Sequence, residues 1–387
     1  MAQSRIMSQT IETCRRLYND LLEERLKENT NYFAQTKAVT AVRREDKFLG
    51  AVNAQVLQDV ALRLDMACSR FFKGLSRRPR FKRAGRYKSF TYPQLGGFRV
   101  LGGEIRLSKI GLIKIRPARL IAGTPKTCTI IMDVDVWFAC VTVETENSQG
   151  IGQMPCGPAV GVDLGINRLV TLSDGKKFEN PRVFVRARGR ITILQRQLSR
   201  RKVGSKNRQK SRIALAKAWR RVRNQRSDLA HKISAFLSKE YSTIVFEDLN
   251  ISNMVRNHRL ASAIMDASWG NLRRLAAYKA ERRGGRVILV NPKGTSQKCS
   301  RCGEMVAKEL SERIHDCRGC GLVVDRDVNA ARNILRVGLE QARVEEQPLL
   351  FNRRRISKFV PLKQEARGTR PTGSTAGSSI HHQFLLF

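Results

Sequence analysis

Apolar residues recur at three- and four-residue spacing near the start of the chain, at Ile11, Cys14, Leu17, Tyr18, Leu21, Leu22 and Leu26, with charged residues between them. This period predicts an amphipathic helix from about Gln9. A second stripe, Val56, Val60, Leu64, Ala67, Cys68 and Phe71, predicts a helix over 52–72 and, with the first, part of a small helical bundle. Between 98 and 144 short alternating segments are broken by Gly102, Gly103, Gly111, Pro117, Gly123 and Pro125, which signals hairpins of an antiparallel sheet or small barrel. Residues 147–158 have the composition of a linker, so a domain boundary is expected near 155.

The run 159–175 reads as strand, reversal and strand, with Asp163 set into apolar surroundings. A lone buried carboxylate costs several kcal/mol at least unless something pairs with it, and a metal ion is one such partner. Residues 241–250 repeat the pattern: a β-branched strand ends in Glu247 and Asp248, at the carboxyl end where open α/β sheets place their sites. Taken alone, Asp163 is equally an ordinary strand-edge or turn aspartate. A helix is expected over 266–283 and a strand over 286–290. Asp325 and Asp327 precede Ala330, Ala331 and Ile334, a slim helical face suited to lying on a sheet. Acids at a helix start also serve simply as caps.

Charge changes the picture. Lys and Arg number 73 against 33 Asp and Glu in 387 residues, a formal net charge of +40. Such an excess makes nucleic acid the natural partner, through counterion release. It is densest over 182–226, where 17 Lys or Arg stand with no acid. Apolar stripes at Ile191, Leu194 and Leu198, then Ile213, Leu215 and Trp219, predict two helices beneath that charge, turning at 204–207. Segment 77–93 mixes cations with rings that could stack on bases. Candidate nucleic-acid contacts are therefore Arg80, Lys82, Tyr92, Arg200, Arg201, Lys202 and Lys206, with Asn53, Gln55 and Gln58 on the second helix as candidates for base edges. No apolar run is long enough to span a membrane and no secretory pattern opens the chain, so a cytoplasmic protein without membrane attachment is expected.

Nine cysteines divide into two kinds. Cys299 with Cys302, and Cys317 with Cys320, form two Cys-x-x-Cys pairs separated by 14 residues, the spacing of a four-thiolate zinc ribbon. Four thiolates leave no position for a catalytic water, so this Zn2+ is structural. His315 is expected at the surface. Cys14, Cys68, Cys128, Cys140 and Cys156 read as buried free thiols.

Taken in order, the motifs around Asp163, Glu247, the cysteine pairs and Asp325 to Ala331 resemble the transposon-encoded TnpB family, related to type V CRISPR effectors. The resemblance implies an α/β multidomain chain with a RuvC-like nuclease domain of RNase H fold, over 158–294 and 324–344, interrupted by a zinc ribbon at 295–323. It implies a helical recognition domain over 9–90 and a wedge-type β-barrel with its linker over 91–157. Family members begin with a barrel strand, and only residues 1–8 stand before the first predicted helix, which leaves closure open. The tail 345–387 is expected to be disordered by composition. Matched position by position, Asp163, Glu247 and Asp327, with Asp325 as alternate, would be the catalytic acids holding two Mg2+ ions. The implied partners are a guide RNA from the transposon end and double-stranded DNA beside a short flanking motif, in a monomeric ribonucleoprotein. The implied activity is metal-dependent DNA cleavage; a copy with an inactive nuclease would instead act as an RNA-guided DNA-binding protein. No tyrosine or histidine pair suited to strand transfer is found.

Overall fold

A computed structural model describes residues 2–116, 123–145, 157–307, 312–352 and 378–386. It divides into two compact units, one formed by Met1–Ser148 with Pro371–Phe387 and the other by Gln149–Arg370. Among the described residues no helix is long and apolar enough to cross a membrane.

In the first unit, helix α1 (Ala2–Glu28) buries Met7, Ile11, Cys14, Leu17, Tyr18, Leu21 and Leu22, the predicted stripe extended by Met7 and without Leu26, which is exposed. The helix takes in nearly all of residues 1–8, which are therefore no separate remnant. Helices α2 (Tyr32–Glu45) and α3 (Lys47–Gly50) start at the side-chain caps Asn31 and Asp46. Helix α4 (Ala54–Phe72) buries Val56, Leu57, Val60, Ala61 and Leu64. Strands β1 (Ser89–Tyr92), β2 (Phe98–Leu101), β3 (Glu104–Leu107), β4 (Gly111–Arg116), β5 (Thr124–Asp133) and β6 (Val136–Thr145) follow.

Helices and strands share one continuous core, running from Met7 through Val60 and Phe90 to Val143, where two separate domains were expected. Arg63 of α4 fastens them together, donating to Ser89 O at 2.9 Å and Thr91 Oγ1 at 2.5 Å.

Residues 345–387 do not form a uniformly disordered tail. A strand from it, Ser378–Leu386, pairs antiparallel with β6 over nine residues and with β4 at Leu385 and Leu386. The sheet order is β1-β5-β6, then this strand, then β4-β3-β2, so β1 and β2 are its two ends. It is the C-terminal segment that joins two three-stranded halves; no strand precedes α1 among the described residues.

The second unit is a three-layer arrangement around a five-stranded sheet. Strands β7 (Ala159–Asp163), β8 (Arg168–Leu172) and β9 (Lys177–Glu179) run antiparallel in succession. Helices α5 (Val183–Arg200) and α6 (Lys206–Glu240) follow, with Gly204 at φ +85° and Ser205 capping the second. Strand β10 (Thr243–Glu247) then lies parallel to β7, and β11 (Arg286–Val290) parallel to β10. Between them stand α7 (Ile251–Met254), α8 (His258–Ala267) and α9 (Trp269–Glu281). The helix expected over 266–283 is α9, which starts at Trp269 after Ser268 turns left-handed at φ 56°; residues 266 and 267 close the separate helix α8. Ribbon strands β12 (Ile314–Cys317) and β13 (Leu322–Asp325) pair antiparallel and lead into α10 (Arg326–Asn352). Numbering the C-terminal strand in chain order makes it β14.

Alternation sorts the sheet's two faces. Val160, Val162, Ile244 and Phe246 join Ile233, Leu237, Leu272 and Leu275 in one core, on the side of α6 and α9. Val245 and Val290 face the other way, toward Ile334 of α10. There α10 lies unusually close to the strands. A Cβ at Gly161 would fall onto the Ala331 carbonyl oxygen and stand 2.7 Å from Leu335 N, and one at Gly338 would stand 2.7 Å from Val245 Cγ2. Glycine at these two contacts is what lets helix and sheet approach.

Candidate active site and metal centre

Register brings the first two acids together. Val162 pairs with Phe246 on parallel strands, so the next residues, Asp163 and Glu247, end β7 and β10 side by side. Both follow Gly161 and Val245 by two positions and hence share the face that α10 covers. Ala331 stands over Gly161, and Asp327, one helical turn earlier in the first turn of α10, reaches the same carboxyl ends.

Electrostatics record the convergence. Burial, then the Glu247 carboxylate, then that of Asp327, push Asp163 up to about 8, with Arg326 opposing them. Burial likewise raises Glu247, which is only 8% exposed, against a hydrogen bond of 2.5 Å from Thr295 Oγ1 to its Oε1. Asp325 differs. Burial opposes its ionisation, but Lys177 and Arg168 donate to its Oδ2 at 2.8 and 2.6 Å and hold it down to about 2. Its Oδ1 accepts from Asp327 N at 3.0 Å and from Val328 N at 3.4 Å, closing the start of α10. Both oxygens of Asp325 are therefore occupied by structure. Asp248 pairs with Arg273 at 3.0 Å.

Among the described residues, Cys299, Cys302, Cys317 and Cys320 are the one group whose metal-ligand atoms all lie within 4.8 Å of one another. The carboxylates stand in a more open arrangement. Sulfurs of Cys299 and Cys320 are 3.6 Å apart, and those of Cys302 and Cys317 are 3.5 Å apart. Tetrahedral zinc with bonds of about 2.3 Å needs sulfur edges of roughly 3.8 Å, so four thiolates at this spacing fit a structural Zn2+. Although burial works against it, backbone N–H groups of Cys302 and Arg301, with His315 and Cys320, hold the Cys299 thiol down to about 5. His315 is thus not a surface residue: it is fully buried and bonds the Cys299 side chain. Outside the ribbon, Cys14 and Cys128 are buried, Cys68 and Cys140 half-buried, and Cys156 lies outside the described residues.

Sites proposed for nucleic acid separate into three kinds. Tyr92 is withdrawn, because its ring is 1% exposed and its hydroxyl donates to Ser108 O at 2.9 Å; no base can stack there. Asn53 is the cap of α4, accepting from Gln55 N, a role worth about 1 kcal/mol. Gln55 donates to Gln94, while Gln58 is half-buried. Lys82 lies over the Tyr18 ring and its backbone is bonded by Arg15 and Asn19, whereas Arg80 is exposed. At the α5–α6 turn Arg200, Lys202 and Lys206 are exposed, and Arg201 donates to Asn207 O. Trp219 stacks on Phe184 at 5.4 Å, and Arg226 pairs with the buried Asp266.

Three further buried polar residues stand at the site: Asn329, inside the motif that ends at Ala331, and Thr295 and Asn333, which carry no motif. The two asparagines stand four apart on α10, the one signal that they share a face.

Comparison with known proteins adds identity to this geometry. A family model described as "Probable transposase" (OrfB_IS605) matches residues 139–258, and one described as "Cas12f1-like, TNB domain" matches 269–334. A protein of Streptomyces pristinaespiralis, named "Putative RNA-guided DNA endonuclease", is 35% identical over 87% of this chain and 86% of its own. InsQ of Escherichia coli (strain K12), named in the same words, is 34% identical over 83% and 81%. A solved Cas12f1–sgRNA–target DNA complex covers 86% of this chain and 94% of its own at 14% identity and a TM-score of 0.35, a likeness too loose to carry an argument. With two ordered family matches and relatives alike along most of its length, the chain belongs to the TnpB (OrfB/IS605) family of RNA-guided DNA endonucleases related to Cas12f.

Proposed function

We propose that the chain hydrolyses DNA at Asp163, Glu247 and Asp327, directed by a guide RNA from the transposon end to targets beside a short flanking motif. The observation that carries this reading is the meeting of three acids from β7, β10 and the start of α10, close enough that two of them raise the third. Buried acids without a counter-charge are costly, and hard oxygen donors suit Mg2+. Two bound Mg2+ ions would supply an activated water and stabilise the leaving oxygen. Asp163 and Glu247, on rigid adjacent strands, would hold the ions from the sheet, and Asp327 from the helix. Asp325 has its oxygens engaged by Arg168, Lys177 and the backbone, which favours Asp327 as the third acid.

Cations of α5 and α6 would bind RNA or heteroduplex through phosphates, without reading sequence, in a monomeric ribonucleoprotein. The ribbon would hold zinc as structure.

The test is cleavage of matched DNA by protein copurified with RNA from its genomic neighbourhood, in Mg2+ or EDTA. Asp163→Ala, Glu247→Ala and Asp327→Ala should each lower cleavage at least about 1,000-fold while guide RNA remains bound. Asp325→Ala should lower the melting temperature and leave measurable cutting. Undiminished cleavage in Asp163→Ala and Glu247→Ala would sink the assignment.

A further inference from the structure

Glu247 is held by a buried chain of hydrogen bonds that begins at the cysteine cluster. Thr295 lies between β11 and the first cysteine pair. Its hydroxyl has one proton and two acceptors in reach: Glu247 Oε1 at 2.5 Å and Pro292 O at 3.1 Å. The nearer, carboxylate acceptor makes the stronger bond. At its other end, Thr295 O accepts from Asn333 Nδ2 at 2.9 Å. The same amide donates to Lys298 O at 2.6 Å, where Asn329 Nδ2 also donates at 2.7 Å. Asn329 Oδ1 in turn accepts from Ser300 N at 2.9 Å. Lys298 and Ser300 flank Cys299, so the backbone around the first zinc ligand is tied at two points to α10, and α10 is tied to Thr295.

Every side chain in this chain of bonds is buried: Asn329 at 0%, Asn333 at 2%, Thr295 at 5% and Glu247 at 8% exposed. Helix packing alone would be served by apolar residues there. Two buried amides are costly unless their groups are paired, and here both Nδ2 groups and Asn329 Oδ1 hold the segment from Thr295 to Ser300, while Asn333 Oδ1 accepts from Arg336 on the same helix. With Oε1 engaged, rotation of the Glu247 carboxylate is restrained, which fixes the directions in which Oε2 and the second lone pair of Oε1 meet a cation.

From this geometry we infer that Thr295 is a positioning residue for Glu247, and that the cysteine ribbon sets where Thr295 stands through Asn329 and Asn333. The inference rests on the reading of Glu247 as a metal-binding acid. It makes the zinc ribbon a determinant of affinity for the catalytic ions as well as a fold element.

Guide-loaded, full-length protein is titrated with Mn2+, followed by the loss of free-ion signal in electron paramagnetic resonance, and cleavage is measured against Mg2+ concentration. Thr295→Val should weaken Mn2+ binding about 10-fold, the scale of an outer-shell partner. It should raise the Mg2+ needed for half-maximal cleavage equally, with the rate at saturating Mg2+ kept within about 3-fold. Thr295→Ser should restore both. Asn333→Ala should shift Mn2+ affinity in the same direction at unchanged zinc content, and the double variant should lose no more than Thr295→Val alone. Wild-type Mn2+ affinity in Thr295→Val, or no rescue by serine, overturns the positioning role; unchanged affinity in Asn333→Ala overturns the link to the ribbon. Glu247→Ala separates the two levels: if it too binds Mn2+ normally, the site reading fails, whereas lost binding there with normal binding in Thr295→Val defeats this inference alone.

Discussion

Asp163 sets the residue scale. An ordinary aspartate ionises near pH 4, whereas this one is pushed to about 8 by burial and by Glu247 and Asp327. In metal-free protein the folded state therefore binds a proton that the unfolded state has released, and stability falls as pH rises from about 4 to about 8. Asp163→Asn should remove the share of this slope that Asp163 contributes and leave the share that comes from Glu247, which burial also raises. In EDTA its melting temperature should match wild type near pH 4.5 and exceed it at pH 8, by a stability difference on the order of a few kcal/mol. Calorimetry across that range checks the sign. Asp325 has the opposite linkage: its paired carboxylate, held near 2, contributes stability above the ordinary range and loses it as pH falls toward 2. Asp163 and Glu247 were legible because an acid ending an apolar strand stands out against its neighbours. Thr295 was not, since a threonine in a loop gains meaning only from a carboxylate 48 positions away in sequence and an asparagine 38 positions away. Tyr92 was misread for a related reason: rings in a basic segment suggest stacking, yet the alternation of β1 buries Phe90 and Tyr92 together.

At the scale of elements, α10 determines the site. Ala330 and Ala331 are legible as a slim face, and the structure adds the matching gap on the sheet. Gly161→Ala would press a methyl group into the α10 backbone, which cannot yield as a flexible side chain can. A loss of about 3 kcal/mol or more is expected, together with weaker Mn2+ binding, because Asp327 would be carried away from Asp163. Denaturant melts and the same titration measure both. The amphipathic helices α1, α4, α5 and α6 were recovered by periodicity, which is strongest where one face is wet. Helices α2 and α3 were missed: α2 buries only Gln35 and Val39 and α3 buries none, leaving little pattern to detect. Helix α8 was missed as well, and its end at Ser268, which moves the start of the expected helix from 266 to Trp269, carries no Gly or Pro to mark it.

For the whole molecule, composition pointed to a nucleic-acid partner and the order of motifs to the family; the helical and β regions of the first unit could not be separated because their apolar faces complete each other. Strand β14 was hidden by the polar run before it. Its removal leaves β6 and β4 as two unpaired edges. A chain ending at Gly377 should melt at lower temperature and aggregate more readily, and a synthetic peptide of residues 378–387 added in trans should restore part of the loss, as thermal scans and light scattering would record.

That same strand imposes a timetable on synthesis. Strands β1 to β6 leave the ribosome early, but the partner that joins their two halves arrives only after the second unit has been made. At about 5–20 residues per second the wait is roughly 10–50 s. During that interval the edges of β6 and β4 that β14 will cover stand open to other chains, so the growing chain is most prone to aggregate before its last strand is made.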